Sequence, residues 1–218
     1  MIILNKQNSL FNQYLAEVRD SNVQTDSLRF RYNLERMGSI FAYEISKTMG
    51  YETKDVTTPL GIAEERLLNE NPVVISVMRA GLPIHQGMMR FFDKADNGFV
   101  SVFRNVEKAG SVTLKPEYVS CPEIDGKQLI LIDAIIASGA SITMAYQTLL
   151  QYGTPKHTHF VSLVASKEGI EAIRKRYSPQ SVTIWLGALD AELTVRSFVV
   201  PGIGDVGDLA FGYKPPII

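Results

Sequence analysis

The sequence of 218 residues has little cysteine, no surplus of either charge and no long apolar run. Its lone cysteine, Cys121, excludes an intrachain disulfide and favours a reducing compartment. A net charge of −1 argues against a broad basic surface for nucleic acid or anionic lipid. The apolar opening stops at Asn5, so neither a signal peptide nor a membrane span is expected. We therefore predict a cytoplasmic protein with no nucleic-acid or membrane partner.

Two common motifs for phosphate binding are also missing, as is any spacing typical of metal ligands. The dinucleotide pattern G-x-G-x-x-G does not occur, and Ser138-Gly139-Ala140-Ser141 lacks the lysine and the leading glycine of a P-loop. None of the three histidines stands at a metal-ligand spacing. A bound phosphate would therefore be held by a short loop and hydroxyl groups, not by a P-loop lysine.

What the sequence does contain is a regular alternation of apolar and amphipathic segments. Hydrophobic residues make up 45% of the chain, which is enough for one good core. Segments that are almost wholly apolar are typical of parallel strands covered on both faces by helices. The pattern predicts strands at Val73–Met78, Phe99–Phe103, Leu129–Asp133, Phe160–Ala165 and Val182–Leu186, and helices at Leu82–Phe92, Ser141–Tyr152 and Lys167–Tyr177.

Other segments depart from this alternation. Asp26 and its neighbours are suited to cap a helix. The apolar stripe of this helix runs from Phe30 to Ile45, and the helix is expected to stop at Gly50. Residues 51–66 predict a β-hairpin arm with little core of its own, which suits packing on another subunit. Residues 105–121 show no clear period and predict a mobile loop or an irregular excursion. Residues 198–213 are rich in glycine and aspartate and carry little helical signal.

The most informative stretch, Leu129–Ser141, is an apolar strand that reaches Asp133 and continues through small residues into a helix. In an open α/β sheet, ligands bind just beyond the carboxyl ends of the strands. The free amides at a helix start favour an anion, and a phosphate most of all. We interpret this stretch as a phosphate site with Asp133 beside it. The alternative is a strand–helix turn whose small residues only permit tight packing.

Two arginines follow predicted strands and indicate a second anion subsite. Arg79 follows Met78, and Arg104 follows Phe103, so both belong near the ligand edge of the sheet. Because the guanidinium fork matches phosphate oxygens, the pair is suited to clamp a second phosphate group. The alternative is that each arginine pairs with an ordinary surface carboxylate.

A third unusual stretch, Val199–Asp208, carries glycines at 202, 204 and 207. Glycine permits a positive φ and a close approach of the backbone to a ligand. The exposed main-chain donors and acceptors are suited to read the edge of a planar heterocycle. The alternatives are a surface turn of glycine and aspartate, or a calcium loop, although the acidic spacing of such loops is absent.

Taken in this order, the three stretches resemble the uracil phosphoribosyltransferases, a type I phosphoribosyltransferase family. Met78–Leu82 is similar to the family's Arg-Ala-Gly-Leu segment, and Phe103-Arg104-Asn105 to its Tyr-Arg-Asn. Asp133–Ser141 stands where the family has Asp-Pro-Met-Leu-Ala-Thr-Gly-Gly-Ser. Pro201–Asp208 is similar to Pro-Gly-Leu-Gly-Asp-Ala-Gly-Asp, the segment that distinguishes the uracil enzymes.

The resemblance implies an α/β fold with a mostly parallel five-stranded sheet flanked by helices. It implies one domain over residues 1–218, with the arm near 51–66, a mobile loop near 105–121 and a C-terminal hood near 182–218. The implied reaction transfers ribose-5-phosphate from 5-phosphoribosyl 1-diphosphate to N1 of uracil, giving UMP and diphosphate in pyrimidine salvage.

The resemblance also implies a role for each site residue. The catalytic group is Asp133, Arg79, Arg104 and Asp205. The residues expected to bind phosphoribosyl diphosphate are Arg79, Arg104, Asp133, Ala134, Ile135, Ile136, Ala137, Ser138, Gly139, Ala140, Ser141 and Asp205. Those expected to bind uracil are Val199, Gly204, Asp205 and Val206.

The implied cofactor is Mg²⁺, which would enter with the diphosphate and be bound mainly by substrate oxygens and water rather than by protein ligands. A homodimer or higher homo-oligomer is implied, and activation by GTP is left open. Ala134, Ser138 and Ala140 replace the family's Pro, Thr and second Gly. Two other functions stay open at this point: a non-catalytic, nucleotide-sensing regulator on the same fold, and a phosphoribosyltransferase for another base.

Overall fold

A computed structural model describes residues 1–106, 112–195 and 197–214. In chain order, its strands are β1 (Ile2–Ile3), β2 (Tyr51–Thr58), β3 (Gly61–Leu68), β4 (Val73–Met78), β5 (Asp96–Val106), β6 (Val112–Ser120), β7 (Gln128–Ile132), β8 (Ile135–Ile136), β9 (His157–Ser166), β10 (Val182–Asp190), β11 (Glu192–Leu193) and β12 (Val199–Val200). Its helices are α1 (Leu10–Arg19), α2 (Ser27–Ser46), α3 (Leu82–Met89), α4 (Ala140–Leu149), α5 (Lys167–Arg176) and α6 (Val206–Phe211), with single 3₁₀ turns at Leu4–Lys6 and Leu150–Tyr152.

The central sheet has the order β1-β10-β9-β7-β4-β5-β6, and the short strand β8 also pairs with β9. The five strands from β10 to β5 run parallel, which confirms the predicted α/β fold. Two strands that were not predicted extend this core: β1 adds in parallel at one edge, and β6 adds antiparallel at the other. Because β4, β7, β9 and β10 are parallel neighbours, their carboxyl ends share one edge of the sheet, where the site lies.

Alternate strand residues face two separate hydrophobic cores, as the two-residue period of a strand requires. Val74 packs with α1, α2 and α3 on one face, whereas Val73 and Ile75 pack with α4 and α5 on the other. Both faces of the sheet are thus covered by helices, which explains why the strand sequences are almost continuously apolar.

The long helix α2 forms as its sequence predicts. The Asp26 carboxylate accepts from the amides of Leu28 and Arg29, which caps the first turn. The predicted apolar stripe is buried throughout, from Phe30 to Ile45. The helix ends at Ser46, before Gly50, so the expected stop was placed a few residues late.

The predicted hairpin arm is confirmed as β2 and β3, which pair with each other from Tyr51↔Leu68 to Thr58↔Gly61. Pro59 and Leu60 form its turn, and the Thr58 hydroxyl accepts from the Leu60 and Gly61 amides. Every residue of β2 is exposed, so the arm has no core within this chain. Its packing on another subunit stays a prediction.

Two segments expected to be irregular are regular instead. Most of the segment 105–121 forms β6, which covers Val112–Ser120. The backbone of β6 pairs with that of β5 from Phe99↔Ser120 to Val106↔Val112, with a shift in register after Ser101. Residues 107–111, the centre of the predicted mobile loop, lie outside the described residues. Near the C-terminus, α6 forms because the Asp205 carboxylate caps it, and because Arg31 of α2 donates to the Ala210 carbonyl. In the described part of the chain, no helix is long and apolar enough to cross a membrane.

Candidate active site

A cavity of about 340 Å³ lies at the carboxyl edge of the sheet. Three separate segments line it: Ala80 after β4, Asp133 with Ile135 and Ala137 after β7, and residues 197–199 and 203–207 near the C-terminus. A smaller recess of about 40 Å³ adjoins it and is lined by Asp133 and residues 135–142. The structure therefore brings residues of Met78–Leu82, Leu129–Ser141 and Val199–Asp208, stretches singled out in the sequence, into the lining of one cavity.

The segment that we call the phosphate loop, residues 133–139, connects β7 to α4. Gly139 has a φ of 77° and is the last residue before α4, so glycine suits the left-handed conformation required there. Ala140 is the first residue of the helix and does not have a positive φ, so its extra methyl causes no backbone strain. The Ala140 amide lies 3.4 Å from the Ser138 hydroxyl, which accepts from it.

Asp133 stands at the junction of the cavity and the recess. Its backbone amide donates to the Val161 carbonyl of β9, which continues the sheet pairing past the end of β7. Its side chain is buried, with the residue 9% exposed, and lines both spaces. This position is suited to accept hydrogen bonds from a polar ligand that spans the two.

Arg79 follows β4 and contacts the C-terminal segment. Its Nη2 lies 2.9 Å from Asp208 Oδ1, and its Nη1 donates to the Gly212 carbonyl at 3.2 Å. Arg79 thus pairs with a carboxylate, as the alternative interpretation expected, but that carboxylate belongs to α6 beside the cavity. Arg104 lies in β5, opposite Leu114 of β6. The role predicted for its side chain lies outside the described residues.

The C-terminal loop, residues 199–205, closes the other side of the cavity. Gly202 and Gly204 have φ values of 62° and 93°, as the glycine pattern predicted. Gly207, by contrast, lies in the first turn of α6. Asp205 caps α6 by accepting from the Asp208 amide at 2.9 Å. Asp205 and Arg79 are therefore linked through Asp208, although they come from opposite halves of the chain.

A partly buried ion pair, which no motif in the sequence predicted, anchors this loop. Arg19, at the end of α1, makes two bonds of 2.9 Å to the Asp190 carboxylate at the end of β10. Both partners also bind Gly202. Arg19 donates to the Gly202 carbonyl, and the Gly202 amide donates to the Asp190 carboxylate. The two charged residues are 171 positions apart, so no local pattern could have paired them.

The parallel sheet, the acidic Asp133 at a strand end and the C-terminal loop across the cavity are those expected of the type I phosphoribosyltransferase fold. Within that class, residues 5–212 match the sequence model of one family, Uracil phosphoribosyltransferase. The chain belongs to the uracil phosphoribosyltransferase family.

Individual relatives agree with this assignment. The chain is 42% identical over 214 residues to a uracil phosphoribosyltransferase of Porphyromonas gingivalis, covering 98% of this chain and 99% of the relative. It is 35% identical over 203 residues to the enzyme of that name from Pyrococcus furiosus, covering 92% and 85%. A solved structure of the AQ2163 protein from Aquifex aeolicus superposes with a TM-score of 0.83 at 27% identity, covering 94% and 96%.

Proposed function

We propose that this protein transfers the ribose-5-phosphate unit of 5-phosphoribosyl 1-diphosphate to N1 of uracil. The bond from ribose C1 to the diphosphate oxygen breaks, a bond from C1 to N1 forms, and the proton of N1 is released. The products are UMP and diphosphate. The observation that carries the proposal is the single cavity lined by both the phosphate loop and the C-terminal loop, in a chain of this family.

The 5′-phosphate would occupy the recess beside Ala137–Ser141. The start of α4 presents backbone amides there, and Ser138 and Ser141 add hydroxyl groups. Asp133, at the junction of recess and cavity, would accept hydrogen bonds from the ribose hydroxyls. Ile135 and Ile136 complete the wall along which the phosphoribosyl group would lie, whereas Ala134 is fully buried and lines neither the cavity nor the recess.

The diphosphate would be bound by Arg79 and Arg104. As the C1–O bond breaks, negative charge grows on the leaving diphosphate. Cations placed at that point therefore stabilise the transition state more than the ground state. Arg79 would exchange its contacts with Asp208 and Gly212 for phosphate oxygens of the substrate.

Uracil would be recognised by the backbone of Val199 and by Gly204–Val206, which line the cavity opposite Asp133. Asp205 would also orient phosphoribosyl diphosphate. A site that pairs with the edge of a base leaves its own polar groups unpaired when the wrong base binds, which is worth about 10⁴-fold in discrimination.

The cavity fits Mg²⁺ that arrives with the substrate. No group of three histidine, cysteine or acidic side chains is placed to hold a metal within residues 1–106, 112–195 and 197–214. Asp133 and Asp205 do line the cavity, and carboxylate oxygens are ligands that suit this ion. We propose that substrate oxygens and water supply most of its ligands. When bound, the ion would neutralise part of the diphosphate charge. The homodimer, the cytoplasmic location and any response to GTP stay predictions.

The test is to incubate the protein with phosphoribosyl diphosphate, Mg²⁺ and each free base in turn, and to measure nucleotide and diphosphate. We expect UMP and an equal amount of diphosphate with uracil only. A nucleotide from another base would show that the base assignment is wrong. No product with any base, together with an unfolding temperature raised by UMP, would instead show a nucleotide-sensing regulator.

A further inference from the structure

Two backbone carbonyls of the phosphate loop accept hydrogen bonds from β9, none of whose residues lines the recess. At the start of the loop, the Ala134 carbonyl accepts from the Leu163 amide at 3.1 Å. The Ser162 hydroxyl lies 3.1 Å from the same carbonyl and 3.0 Å from the Val164 carbonyl, and its single proton is shared between these two acceptors. Near its end, the Ala137 carbonyl accepts from the Ser166 hydroxyl at 2.5 Å. The loop is therefore tied to β9 at two places.

The orientation of the Ala137 carbonyl decides where the next amide points. A trans peptide bond is planar, so its N–H and its C=O point in opposite directions. Because Ser166 holds the Ala137 oxygen on the β9 side, the Ser138 amide is directed away from β9. Ser138 lines the recess where the 5′-phosphate would bind. A reversed peptide would present a carbonyl oxygen to an anion, and the two would repel each other.

Ser166 is itself held in place by a second hydrogen bond. It is the residue before α5, and its hydroxyl accepts from the Gly169 amide at 2.9 Å while donating to Ala137. Because the hydroxyl has one proton, and that proton goes to Ala137, the two bonds fix its direction. The side chain is buried, so water does not compete for either bond.

The loop and the first turn of α5 also touch directly. Gly169 packs on the Ala137 carbonyl so closely that a side chain at position 169 would clash with it. A Cβ on Gly139 would lie 2.9 Å from the Gly169 carbonyl. The loop therefore has little room to relax toward α5 if the Ser166 bond is lost.

We propose that Ser166 is a positioning residue for phosphoribosyl diphosphate, acting through the Ala137 carbonyl to direct the Ser138 amide at the 5′-phosphate. Ser166 does not line the cavity or the recess, and it would not touch the substrate. This inference rests on the proposed function, because the 5′-phosphate is the ligand that the amide would serve.

The test compares Ser166→Ala with Ser166→Thr and with Ser9→Ala. Ser9 caps α1 by accepting from the Phe11 amide, so Ser9→Ala also removes a helix cap but leaves the phosphate loop unchanged. We expect Ser166→Ala to raise the KM for phosphoribosyl diphosphate about 5- to 10-fold, the effect of one lost hydrogen bond, with kcat and the KM for uracil within about twofold. Ser166→Thr keeps the hydroxyl and should restore the KM, and Ser9→Ala should not change it.

Ser162→Ala provides a comparison at the other β9 hydroxyl that contacts the phosphate loop. The Ala134 carbonyl keeps the Leu163 amide in that variant, so its KM should rise less than that of Ser166→Ala. If Ser166→Ala does not fold, Ser166→Gly removes the same hydroxyl at a helix N-cap, a position that tolerates glycine, and should also raise the KM for phosphoribosyl diphosphate. An unchanged KM in the variant that folds would show that Ser166 is only a helix cap.

Failure of the proposed function gives a different result from failure of this inference. If the wild-type protein makes UMP and Ser166→Ala has the wild-type KM, the function stands and the inference is wrong. If the wild-type protein makes no UMP, calorimetry with UMP decides, because UMP carries the same 5′-phosphate. A dissociation constant 5- to 10-fold higher in Ser166→Ala would support the positioning role. Equal constants, or no UMP binding by the wild-type protein, would overturn it.

Discussion

Arg79 illustrates how one residue is shared between the sheet and the C-terminal segment. It follows a buried parallel strand, yet both acceptors of its guanidinium, Asp208 and Gly212, come from the end of the chain. About a third of its side chain is exposed, so this pairing adds about 1 kcal/mol or less to folding stability. We therefore expect the loss of the Arg79 side chain to weaken substrate binding more than it lowers folding stability.

The first prediction at the residue scale concerns Arg79→Ala. We expect kcat/KM for phosphoribosyl diphosphate to fall about 10²-fold, because a charged group facing the leaving diphosphate is lost. The KM for uracil should change much less. Arg90→Ala is the matched control, since Arg90 also forms a partly exposed ion pair, but with Glu35 of α2, whereas Arg79 lies beside Gly207, which lines the cavity. Equal losses for both substrates would indicate a structural role for Arg79.

The second prediction separates the two roles of Asp205. Asparagine is as good a helix cap as aspartate, so Asp205→Asn should leave the unfolding temperature close to that of the wild-type protein. It removes the charge beside the substrates and should lower uracil turnover. Asp205→Ala removes the cap of α6 as well and should also lower thermal stability, by about 1 kcal/mol. Full uracil turnover in Asp205→Asn would show that Asp205 acts only as the cap of α6.

At the scale of the elements, a polar cluster joins α1 to α2. The Glu17 carboxylate accepts from Arg29 at 2.9 Å and 3.0 Å, and from the buried Asn33 at 2.7 Å. The hydrogen bonds from Arg29 and Asn33 lower the pKa of Glu17 from 4.5 to about 2. A carboxyl group with a lowered pKa stabilises the fold above its unfolded pKa, and this contribution is lost as the pH falls through the folded value.

The resulting prediction is a pH-dependent effect of Glu17→Gln. At pH 7 the variant should be less stable than the wild-type protein by about 1–2 kcal/mol, the value of hydrogen bonds to a charged group at a partly exposed site. The difference should shrink as the pH is lowered from 4.5 toward 2, where the wild-type carboxylate becomes protonated. Urea unfolding at a series of pH values measures it. Glu44→Gln, in an exposed pair with Lys47, is the matched control and should change the free energy of unfolding at pH 7 much less.

The elements that could be predicted from the sequence are those with a local cause. The β4 strand was predicted at its observed bounds, because an unbroken apolar run has few other uses in a parallel α/β protein. The β6 strand was missed because Lys115, Pro116 and Glu117 interrupt any apolar run, and an edge strand tolerates them. The α6 helix was missed because its six residues depend on a cap and on Arg31 from a distant helix.

The candidate site divides in the same way. The phosphate loop is one continuous stretch of sequence, and so is the C-terminal loop. The glycines, acids and hydroxyl residues in each loop therefore form a local pattern that indicates a binding site. The Arg19–Asp190 anchor and the link from Ser166 to Ala137 join distant residues through ordinary side chains. A single sequence contains no signal for such pairs, because each partner has the composition of an unremarkable helix or strand end.

At the scale of the whole molecule, the arm of β2 and β3 extends beyond the core. Leu60 is fully exposed at its tip, and the neighbouring Ile62 is 74% exposed. Large apolar groups clustered on an element without a core are typical of a surface that associates. The family resemblance implies a homodimer or a higher homo-oligomer, and the arm is suited to form its interface.

The corresponding prediction is that the double substitution Leu60→Asp with Ile62→Asp shifts the protein from dimer to monomer, without a large change in helix content. Sedimentation velocity measures the mass, and circular dichroism measures the fold. Leu10→Asp places the same charge at another exposed leucine, at the start of α1, and should leave the mass unchanged. A monomeric wild-type protein would show that the predicted dimer is wrong.

The position of β1 at the sheet edge has a consequence for how the chain folds during synthesis. Ile2 and Ile3 pair with Trp185 and Leu186 of β10, so β1 is synthesised long before its partner strand. Arg19 is likewise synthesised long before its partner Asp190. Both β1 and Arg19 must stay unpaired until β10 has emerged from the ribosome, because non-local contacts form only after their loops can close. The edge at β1 is therefore completed late, and the C-terminal loop of the cavity is anchored at the same stage.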